Sequence, residues 1–426
     1  MALYTKTNLR NQVIYSVYVR NYSEEGTFKA VENDLDRIKK LGVDIIWLMP
    51  IHPVGEKARK GQLGSPYAVK DYRKVNPEFG TLEDFKSLVN AIHDKGMKCI
   101  IDVVYNHTSP DSWLVENHPE FFYKKPDGSM GNRVGDWSDI VDLDYNNKDL
   151  WDYQIDTLKM WAEIVDGFRC DVAPLIPLEF WLKAREEVGK VKPDCFWLSE
   201  SVEPEFITYL RSRGMVALSD SEILQAFDAC YDYDIYKIFR SYLDGECPLS
   251  KYVERVNMQE FIYSANYVKL RYLENHDQDR AKSFAGSQDA LMNLTAFIYF
   301  QKGMTMLYCG QETENANRPS LFDKDTVNWN TGYDISDYMS KLYEFKKNPI
   351  LTNSTYTLKA FDAEDIMVGM HITEDKKLVG IFNLKGKKAE VPVELEDGSY
   401  TDLLTGEKVT VTNGKVCSNG QPIIIG

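Results

Sequence analysis

Short apolar runs alternate with apolar residues at helical spacing through the first three quarters of the chain. The run at residues 13–19 (VIYSVYV) is apolar and β-branched. It is followed by Leu35, Ile38 and Leu41, which recur at helical spacing and end at Gly42. Repeats of this pattern predict buried strands followed by helices. The predicted strands lie at residues 13–19, 45–49, 99–104, 167–172, 196–199, 215–218, 268–273 and 304–309.

Eight strands that alternate with helices are typical of the α/β class, and here they predict a (β/α)8 TIM barrel. The structural alternative is a doubly wound open sheet, which normally carries a glycine-rich phosphate loop after an early strand. No GxGxxG pattern occurs in the sequence. The barrel is therefore the preferred prediction.

Two segments interrupt the alternation. Residues 108–147 lack helical periodicity and are too long for an ordinary loop, which predicts a short inserted subdomain after the third strand. Beyond residue 351, short alternating runs separated by glycine-containing turns predict a C-terminal antiparallel β-sandwich. The predicted division is barrel at 1–107, inserted subdomain B at 108–150, barrel again at 151–349, and the β-sandwich domain at 350–426.

Composition narrows the functional classes. A net charge of −15 argues against nucleic acid as a partner, because phosphate would be repelled. No apolar run approaches the ~20 residues that a bilayer requires, so no membrane partner is expected. Aromatic residues make up 12% of the chain and suit a ligand with flat apolar faces, such as a sugar, although most rings are expected in the core. The oligomeric state is left open.

The cysteines and the N-terminus bear on localisation. Seven cysteines are scattered without a CxxC pattern, and we expect reduced, buried thiols. The first residues, MALYTK, contain no apolar signal-peptide region. A cytoplasmic protein is therefore the prediction, unless a secretion signal has been trimmed.

Polar residues gather where the predicted barrel strands end, and such ends carry the active sites of barrels. Arg169 and Asp171 are two residues apart on the fourth strand and therefore share a face. The guanidinium is expected to lower the pKa of Asp171 and keep it ionised, as a nucleophile or an electrostatic stabiliser. The alternative is a purely structural Arg–Asp pair within the barrel.

Two further carboxylates follow later strands. Glu200 comes directly after the apolar run FWLS, where an apolar surrounding would raise its pKa and suit a general acid. Asp277 follows the seventh predicted strand. A retaining glycosidase requires a nucleophile and an acid/base ~5–5.5 Å apart, and a third carboxylate can stabilise positive charge in the transition state.

Four separated motifs carry a resemblance to a known family. They are residues 102–107 (DVVYNH), 167–173 (GFRCDVA), 197–200 (WLSE) and 274–277 (ENHD), supported by 65–72, 76–81 and 307–312. In order and spacing the sequence resembles the α-amylase family of glycoside hydrolases over essentially its whole length. That family combines a catalytic barrel, an insertion after the third strand and a C-terminal β-domain, which is the layout predicted above.

The resemblance implies roles for individual residues. Asp171 matches the nucleophile, Glu200 the acid/base and Asp277 the transition-state stabiliser. The implied reaction is retaining cleavage of α-glucosidic bonds, most simply α-1,4 bonds, through a covalent glucosyl-enzyme. The implied substrates are starch-derived glucans or maltooligosaccharides, and the chemistry requires no cofactor. The residues implied to bind substrate are Tyr67, Asp102, His107, Arg169 and His276.

A structural calcium is the one cofactor that the resemblance raises. Many family members carry Lys-His soon after the nucleophile, and the histidine carbonyl helps to bind the ion. This chain has Pro174 and Leu175 there. Asn106, Asp139 and Asp142 are the weak calcium candidates that remain.

Two functional alternatives stay open, and a third, metal-dependent one is disfavoured. A transglycosylase of the same family, such as a glucanotransferase or a sucrose- or trehalose-acting enzyme, would differ in the acceptor-side lining near Val202 and Glu203. A non-catalytic carbohydrate-binding barrel is disfavoured because all three carboxylates are present. A metal-dependent barrel hydrolase would use His52, His107, His276 and Asp277, yet no HxH or HExxH pattern occurs.

Overall fold

Eight parallel strands form a closed barrel in the computed structural model, which describes residues 5–134 and 137–426. The first strand pairs with both the second and the eighth, so the sheet has no free edge. The strands are apolar on both faces because one face fills the barrel and the other packs on helices. The barrel strands β1–β8 are Val13–Val17, Ile45–Leu48, Lys98–Val103, Gly167–Cys170, Phe196–Ser199, Ala229–Tyr231, Lys269–Arg271 and Met304–Tyr308. The barrel prediction is confirmed.

Helices cover the outside of the barrel. The helix Leu82–Asp94 shows why they form: Thr81 and Asp84 cap its first turn reciprocally, and Phe85, Leu88 and Ile92 bury one stripe. The α-helices of the described residues are Val19–Tyr22, Phe28–Asn33, Leu35–Leu41, Leu82–Asp94, Trp113–Asn117, Lys148–Ala162, Leu178–Gly189, Pro204–Ser212, Asp220–Ile223, Tyr233–Leu243, Leu249–Ile262, Ala281–Phe284, Gln288–Phe300, Ser336–Lys346 and Ile350–Asn353. Short 3-10 helices lie at Thr7–Asn11, Pro119–Phe121 and Ala173–Leu175.

The predicted sixth strand is wrong. Residues 215–218 form an irregular connection between two helices, and the sixth barrel strand is Ala229–Tyr231. Ala217 and Leu218 are nevertheless buried, and the Leu218 amide donates to the Pro174 carbonyl at 2.9 Å. These apolar residues pack the loop against the residues that follow β4. Their burial gives the loop the same sequence pattern as a buried strand.

The segment after β3 folds over the carboxyl end of the barrel. Its two-residue strands, His107–Thr108 and Val141–Asp142, pair antiparallel. The short α-helix Trp113–Asn117 and the 3-10 helix Pro119–Phe121 lie between them. The segment thereby brings His107, Trp137 and Asp139 to the mouth of the barrel.

The C-terminal part is antiparallel, as predicted. A four-stranded sheet in the order β9–β10–β11–β16 and two two-stranded ribbons, β12–β15 and β13–β14, share an apolar core. The Asn257 side chain fastens this unit to the barrel by bonds to both backbone groups of Leu358, at 2.9 Å each. Strands β9–β16 are Thr355–Phe361, Ile366–Ile372, Lys377–Phe382, Ala389–Pro392, Gly398–Thr401, Lys408–Val411, Lys415–Ser418 and Ile423–Ile425.

The seven cysteines are all free thiols. Five are buried, as expected, but Cys247 is partly exposed and Cys417 is exposed. No helix within the described ranges is long and apolar enough to cross a membrane.

Candidate active site

The predicted site residues meet at the carboxyl end of the barrel. Asp102 lies on β3 and Arg169 on β4, while Asp171 and Glu200 directly follow β4 and β5. A cavity of about 370 Å³ opens there. Six of the eight predicted catalytic and substrate-binding residues line it: Tyr67, His107, Asp171, Glu200, His276 and Asp277. The other two, Asp102 and Arg169, lie fully buried and contact these residues.

The Arg169 guanidinium joins three carboxylates. Its Nη1 donates to both oxygens of Asp102 at 2.9 Å and to Asp171 Oδ1 at 3.1 Å. Its Nη2 lies 2.8 Å from Glu200 Oε1. Because these carboxyls are buried, Arg169 contributes to the compensation of all three charges. The pairing of Arg169 and Asp171 on one face, expected from their spacing, is present.

Aromatic rings surround that guanidinium. Its central carbon lies 4.9 Å from the Trp47 ring, 5.5 Å from Tyr231 and 5.6 Å from Tyr67. Trp47 and Tyr231 lie in buried strands, and neither is among the site residues predicted from the sequence. The sequence alone does not show whether an aromatic residue in an apolar strand faces the barrel interior or the helix layer. The pairing of the strands is therefore needed to place these two residues.

Burial controls the protonation of the nucleophile candidate and of the acid candidate. It raises the pKa of Glu200 to about 8, despite the opposing effect of Arg169. It also raises the pKa of Asp171 to about 7, again against Arg169, with Asp102 and Asp277 adding to the rise. The expected lowering of the Asp171 pKa is therefore wrong. The guanidinium is present, but the cost of burying the charged carboxylate among other acids is larger.

The third carboxylate is paired differently. Asp277 Oδ2 lies 3.0 Å from His276 Nε2, which is also 2.8 Å from the Tyr67 hydroxyl. Burial disfavours the charged form of Asp277, but His276 outweighs it and lowers the pKa of Asp277. Burial likewise opposes charge on His276, while Asp277 raises its pKa. The pair therefore favours an ionised Asp277 beside a protonated histidine.

Local hydrogen bonds hold the loop after β7, which contains Asp277, in place. The Asn275 side chain accepts from the amides of Asp277 at 2.8 Å and Gln278 at 3.0 Å. The Tyr67 hydroxyl donates to Asp102 Oδ2 at 3.1 Å, and its ring stacks on His276 with an interplanar angle of 18°. Tyr67 thus connects the loop after β2 to strand β3 and to the loop after β7.

His107 occupies another part of the cavity wall. Its ring is 5.8 Å from that of Trp137, and its Nδ1 is 3.1 Å from the Asn106 amide nitrogen. Burial lowers the pKa of His107, which favours a neutral imidazole at neutral pH. A neutral ring can both donate and accept hydrogen bonds, as recognition of a sugar hydroxyl requires.

The calcium candidates do not form one ligand group. Asp139 lies in the cavity wall, 3.0 Å from Lys60 Nζ. Asn106 and Asp142 line a second pocket, where the Arg133 guanidinium lies 3.7 Å from Asp142 and donates to the Leu143 carbonyl at 3.2 Å. Among residues 5–134 and 137–426 no group of three or more His, Cys, Asp or Glu side chains could hold a metal ion. The structure therefore does not confirm the calcium site that the resemblance raises.

The metal-hydrolase alternative also lacks its ligand set. His52 is buried away from the cavity, with Nδ1 2.9 Å from the Lys74 carbonyl and its ring 5.6 Å from that of Trp161. Burial lowers its pKa to about 4. His52 therefore stabilises the loop after β2 away from the cavity. The other three residues of the proposed metal-ligand set, His107, His276 and Asp277, line the cavity.

A cavity at the carboxyl end of a parallel barrel is the usual active site of a barrel enzyme, and the two carboxyls that contact Arg169 there fit the nucleophile and acid of a glycoside hydrolase. Comparison with known proteins makes the assignment specific. Residues 7–127 and 134–350 match the family "Alpha amylase, catalytic domain", and residues 357–425 match "Bacterial Alpha amylase C-terminal domain". The chain belongs to the α-amylase family of glycoside hydrolases.

Individual relatives agree with this membership. An α-amylase from Lactobacillus plantarum is 48% identical over 99% of both chains, with a TM-score of 0.96. A maltogenic α-amylase, AmyB, from Thermotoga neapolitana is 33% identical over 98% of this chain and 99% of its own, with a TM-score of 0.88. The α-amylase MalA of Haloarcula japonica is 24% identical over 93% of this chain, which spans only 58% of that relative's length.

Proposed function

We propose that the protein hydrolyses α-1,4-glucosidic bonds in maltooligosaccharides or starch-derived glucans with retention of configuration. The observation that carries this proposal is the Arg169 guanidinium, which contacts Asp171 with one amino group and Glu200 with the other. One cation therefore contacts both carboxyls at the cavity, where a retaining mechanism requires a nucleophile and an acid/base. The membership of the α-amylase family supports the same substrate class.

In the first step Glu200 acts as the general acid. Its raised pKa, about 8, keeps the carboxyl protonated near neutrality. It donates this proton to the glycosidic oxygen as the bond from C1 to that oxygen breaks. The ionised form of Asp171 attacks C1 and forms a glycosyl ester, which Arg169 assists because its Nη1 contacts the carboxylate.

In the second step Glu200 acts as the general base. The carboxylate takes a proton from a water molecule, whose oxygen attacks C1 and releases Asp171. Positive charge grows on the sugar in both transition states, and Asp277, whose pKa is lowered, supplies a negative charge to stabilise it. The stacked pair of Tyr67 and His276 offers a flat surface and hydrogen-bonding groups for the same sugar.

The test is the anomeric configuration and the length of the products. We expect the purified protein to cleave maltohexaose and soluble starch, with the α-anomer as the first product in proton NMR spectra. An Asp171→Asn variant should lower kcat by at least about a thousandfold, because the nucleophile is lost. The Asp289→Asn variant is the control, since Asp289 lies on an outer helix.

Other results would point elsewhere. A first product with the β-configuration would exclude the double displacement through Asp171. Products longer than the substrate would instead favour a transglycosylase, in which a sugar hydroxyl replaces water in the second step.

A further inference from the structure

The loops that follow β2 and β8 are joined to each other above the carboxyl end of β1. In the loop after β2, the amides of Leu63 and Gly64 donate to the Phe322 carbonyl of the other loop, at 2.9 and 3.1 Å. Arg20, in the short helix after β1, donates from Nη1 to the Gly64 carbonyl at 2.8 Å and to the Leu321 carbonyl at 3.3 Å. Leu321 and Phe322 line the active-site cavity, so the joined loops form part of its wall.

The two loops pack so closely that Gly61 has no room for a side chain. Its φ of +65° lies in the left-handed region, and a Cβ atom added to it would lie 2.6 Å from the Cβ atom of Phe322. We call residues 60–64 and 321–322 the β1-side wall. Backbone contacts hold this wall together.

An ion pair extends the β1-side wall to the inserted segment after β3. Lys60 Nζ, at one end of the wall, lies 3.0 Å from Asp139 Oδ1 in that segment. Both residues line the cavity. The Asp139 side chain is only 8% exposed, and a carboxylate buried to this extent depends on a partner of opposite charge. The Lys60–Asp139 pair therefore continues the wall across the gap between two separate loops.

The order of the strands places this wall opposite the acid candidate. In the closed sheet β1 is four strands away from β5 in either direction, and Glu200 directly follows β5. A general acid must reach the glycosidic oxygen, so the leaving group extends toward the β5 side of the cavity. The units on the other side of the reacting sugar, toward the non-reducing end of the chain, therefore extend toward the β1-side wall.

Resting on the function proposed above, we propose that the β1-side wall and the Lys60–Asp139 pair together close the cavity on the non-reducing side of the reacting sugar. The cavity, about 370 Å³, lies near the small end of the roughly 300–1,000 Å³ that ligand pockets span. A small cavity that is closed on one side admits the end of a glucan chain but not its middle. The enzyme therefore removes one or two glucosyl units at a time from the non-reducing end.

The experiment compares two forms of maltoheptaose, both labelled with 2-aminopyridine at the reducing end. In one the non-reducing unit is free, and in the other a 4,6-O-benzylidene group blocks it. A closed cavity rejects the enlarged unit by steric clash, so wild-type kcat/KM should be at least about tenfold lower on the blocked substrate. On the free substrate, the first labelled products should be those that have lost one or two units.

Variants that break the ion pair should open the cavity. Lys60→Ala and Asp139→Ala should each raise the ratio of kcat/KM on the blocked substrate to kcat/KM on the free one about tenfold. Labelled products that have lost three or more units should appear among the first products. Because the two residues act as one pair, the double variant should resemble either single variant.

The matched control is Lys57→Ala. It removes an exposed lysine from the same loop that does not line the cavity, and it should leave both the ratio and the product lengths unchanged. Circular dichroism and thermal unfolding of all four variants show whether each is folded.

The inference and the proposed function fail in different ways. If the wild type cleaves the blocked substrate as well as the free one, the cavity is open and the inference is wrong, while the proposed function stands. If Lys60→Ala and Asp139→Ala keep the wild-type ratio, or lose activity equally on both substrates, the pair does not close the cavity. If the wild type cleaves neither substrate, the proposed function itself is wrong.

Discussion

Arg169 is the residue on which the charges of the site depend. It is fully buried and contacts Asp102, Asp171 and Glu200. Removing one partner from a buried ion pair typically costs about 3–5 kcal/mol, because the remaining charge is left uncompensated. Even an Arg169→Lys change would lose the planar fork that reaches separate carboxylates from its two ends.

The raised pKa values predict a narrow pH optimum. Activity requires Asp171 ionised, so kcat/KM should fall as the pH drops through about 7, the raised pKa of Asp171. It also requires Glu200 protonated, so kcat/KM should fall as the pH rises through about 8, the raised pKa of Glu200. Because Asp171 and Glu200 interact, the apparent pKa values of the acid and alkaline limbs describe the coupled pair and not either residue alone. A kcat/KM profile from pH 5 to 10 on maltohexaose checks this.

A second substrate tests whether Glu200 causes the fall of kcat/KM at alkaline pH. Fluoride leaves from α-maltosyl fluoride without protonation by an acid, so the first step no longer requires Glu200. The Glu200→Gln variant should keep activity on the fluoride and show no alkaline limb in the rate of the first step. An alkaline limb near pH 4–5 for the wild type on maltohexaose would contradict the raised pKa of Glu200.

At the scale of elements, the close contact between β4 and β5 places Arg169, Asp171 and Glu200 together. Gly167 begins β4, and a Cβ atom added to it would lie 2.2 Å from the Phe196 carbonyl oxygen on β5. The strands run in register from this point, with Arg169 opposite Leu198. A side chain at Gly167 would therefore separate two strands that carry the proposed nucleophile and acid.

A Gly167→Ala substitution should destabilise the barrel. We expect the free energy of unfolding to fall by about 1–3 kcal/mol, because neither strand backbone can yield without disturbing the sheet. The midpoint of urea unfolding is the measurement. Gly189→Ala is the matched control, since nothing lies within 4 Å of its added Cβ at a helix end. That variant should be unchanged or up to ~1 kcal/mol more stable. Equal midpoints for the two variants would contradict the steric argument.

Seven of the eight barrel strands follow from apolar runs in the sequence. The sixth, Ala229–Tyr231, does not, because Asp228 and Asp232 flank it closely and the apolar loop at 215–218 resembles a strand more closely. The positions of the site carboxylates also follow from the strand ends. The pKa of Asp171 does not, because it depends on burial and on two other acids, Asp102 and Asp277, that are distant in the sequence.

The whole molecule combines a barrel, a folded insertion and a C-terminal β-unit. The domain boundaries given from the sequence remain a prediction, as does a cytoplasmic location. The insertion is held partly by charge: Arg133 lies 3.7 Å from the carboxylates of Asp142 and Asp144. Its guanidinium also lies 4.4 Å from the centre of the Tyr123 ring.

Removal of divalent cations should therefore leave the stability of the protein unchanged. Each acidic calcium candidate already has a cation beside it: Lys60 lies 3.0 Å from Asp139, and Arg133 lies 3.7 Å from Asp142. We expect Tm in a chelator and in excess calcium to agree within about 1 °C. Arg133→Ala removes the cation beside Asp142 and Asp144, and the Tm of this variant should be lower and should rise when calcium is added. A Tm of the wild type that falls by more than about 5 °C in the chelator would contradict this account.

Closure of the barrel has a consequence for the synthesis of the chain. The second strand that pairs with β1 is β8, the last strand of the barrel, with Val13 opposite Thr305. While the ribosome is still making the residues before Met304, the growing sheet exposes two unpaired edges, which invite pairing with other nascent chains. Asp277, too, emerges long after Asp102. A chain released early would thus be both inactive and prone to aggregate. Completion of translation therefore removes the exposed sheet edges and completes the active site.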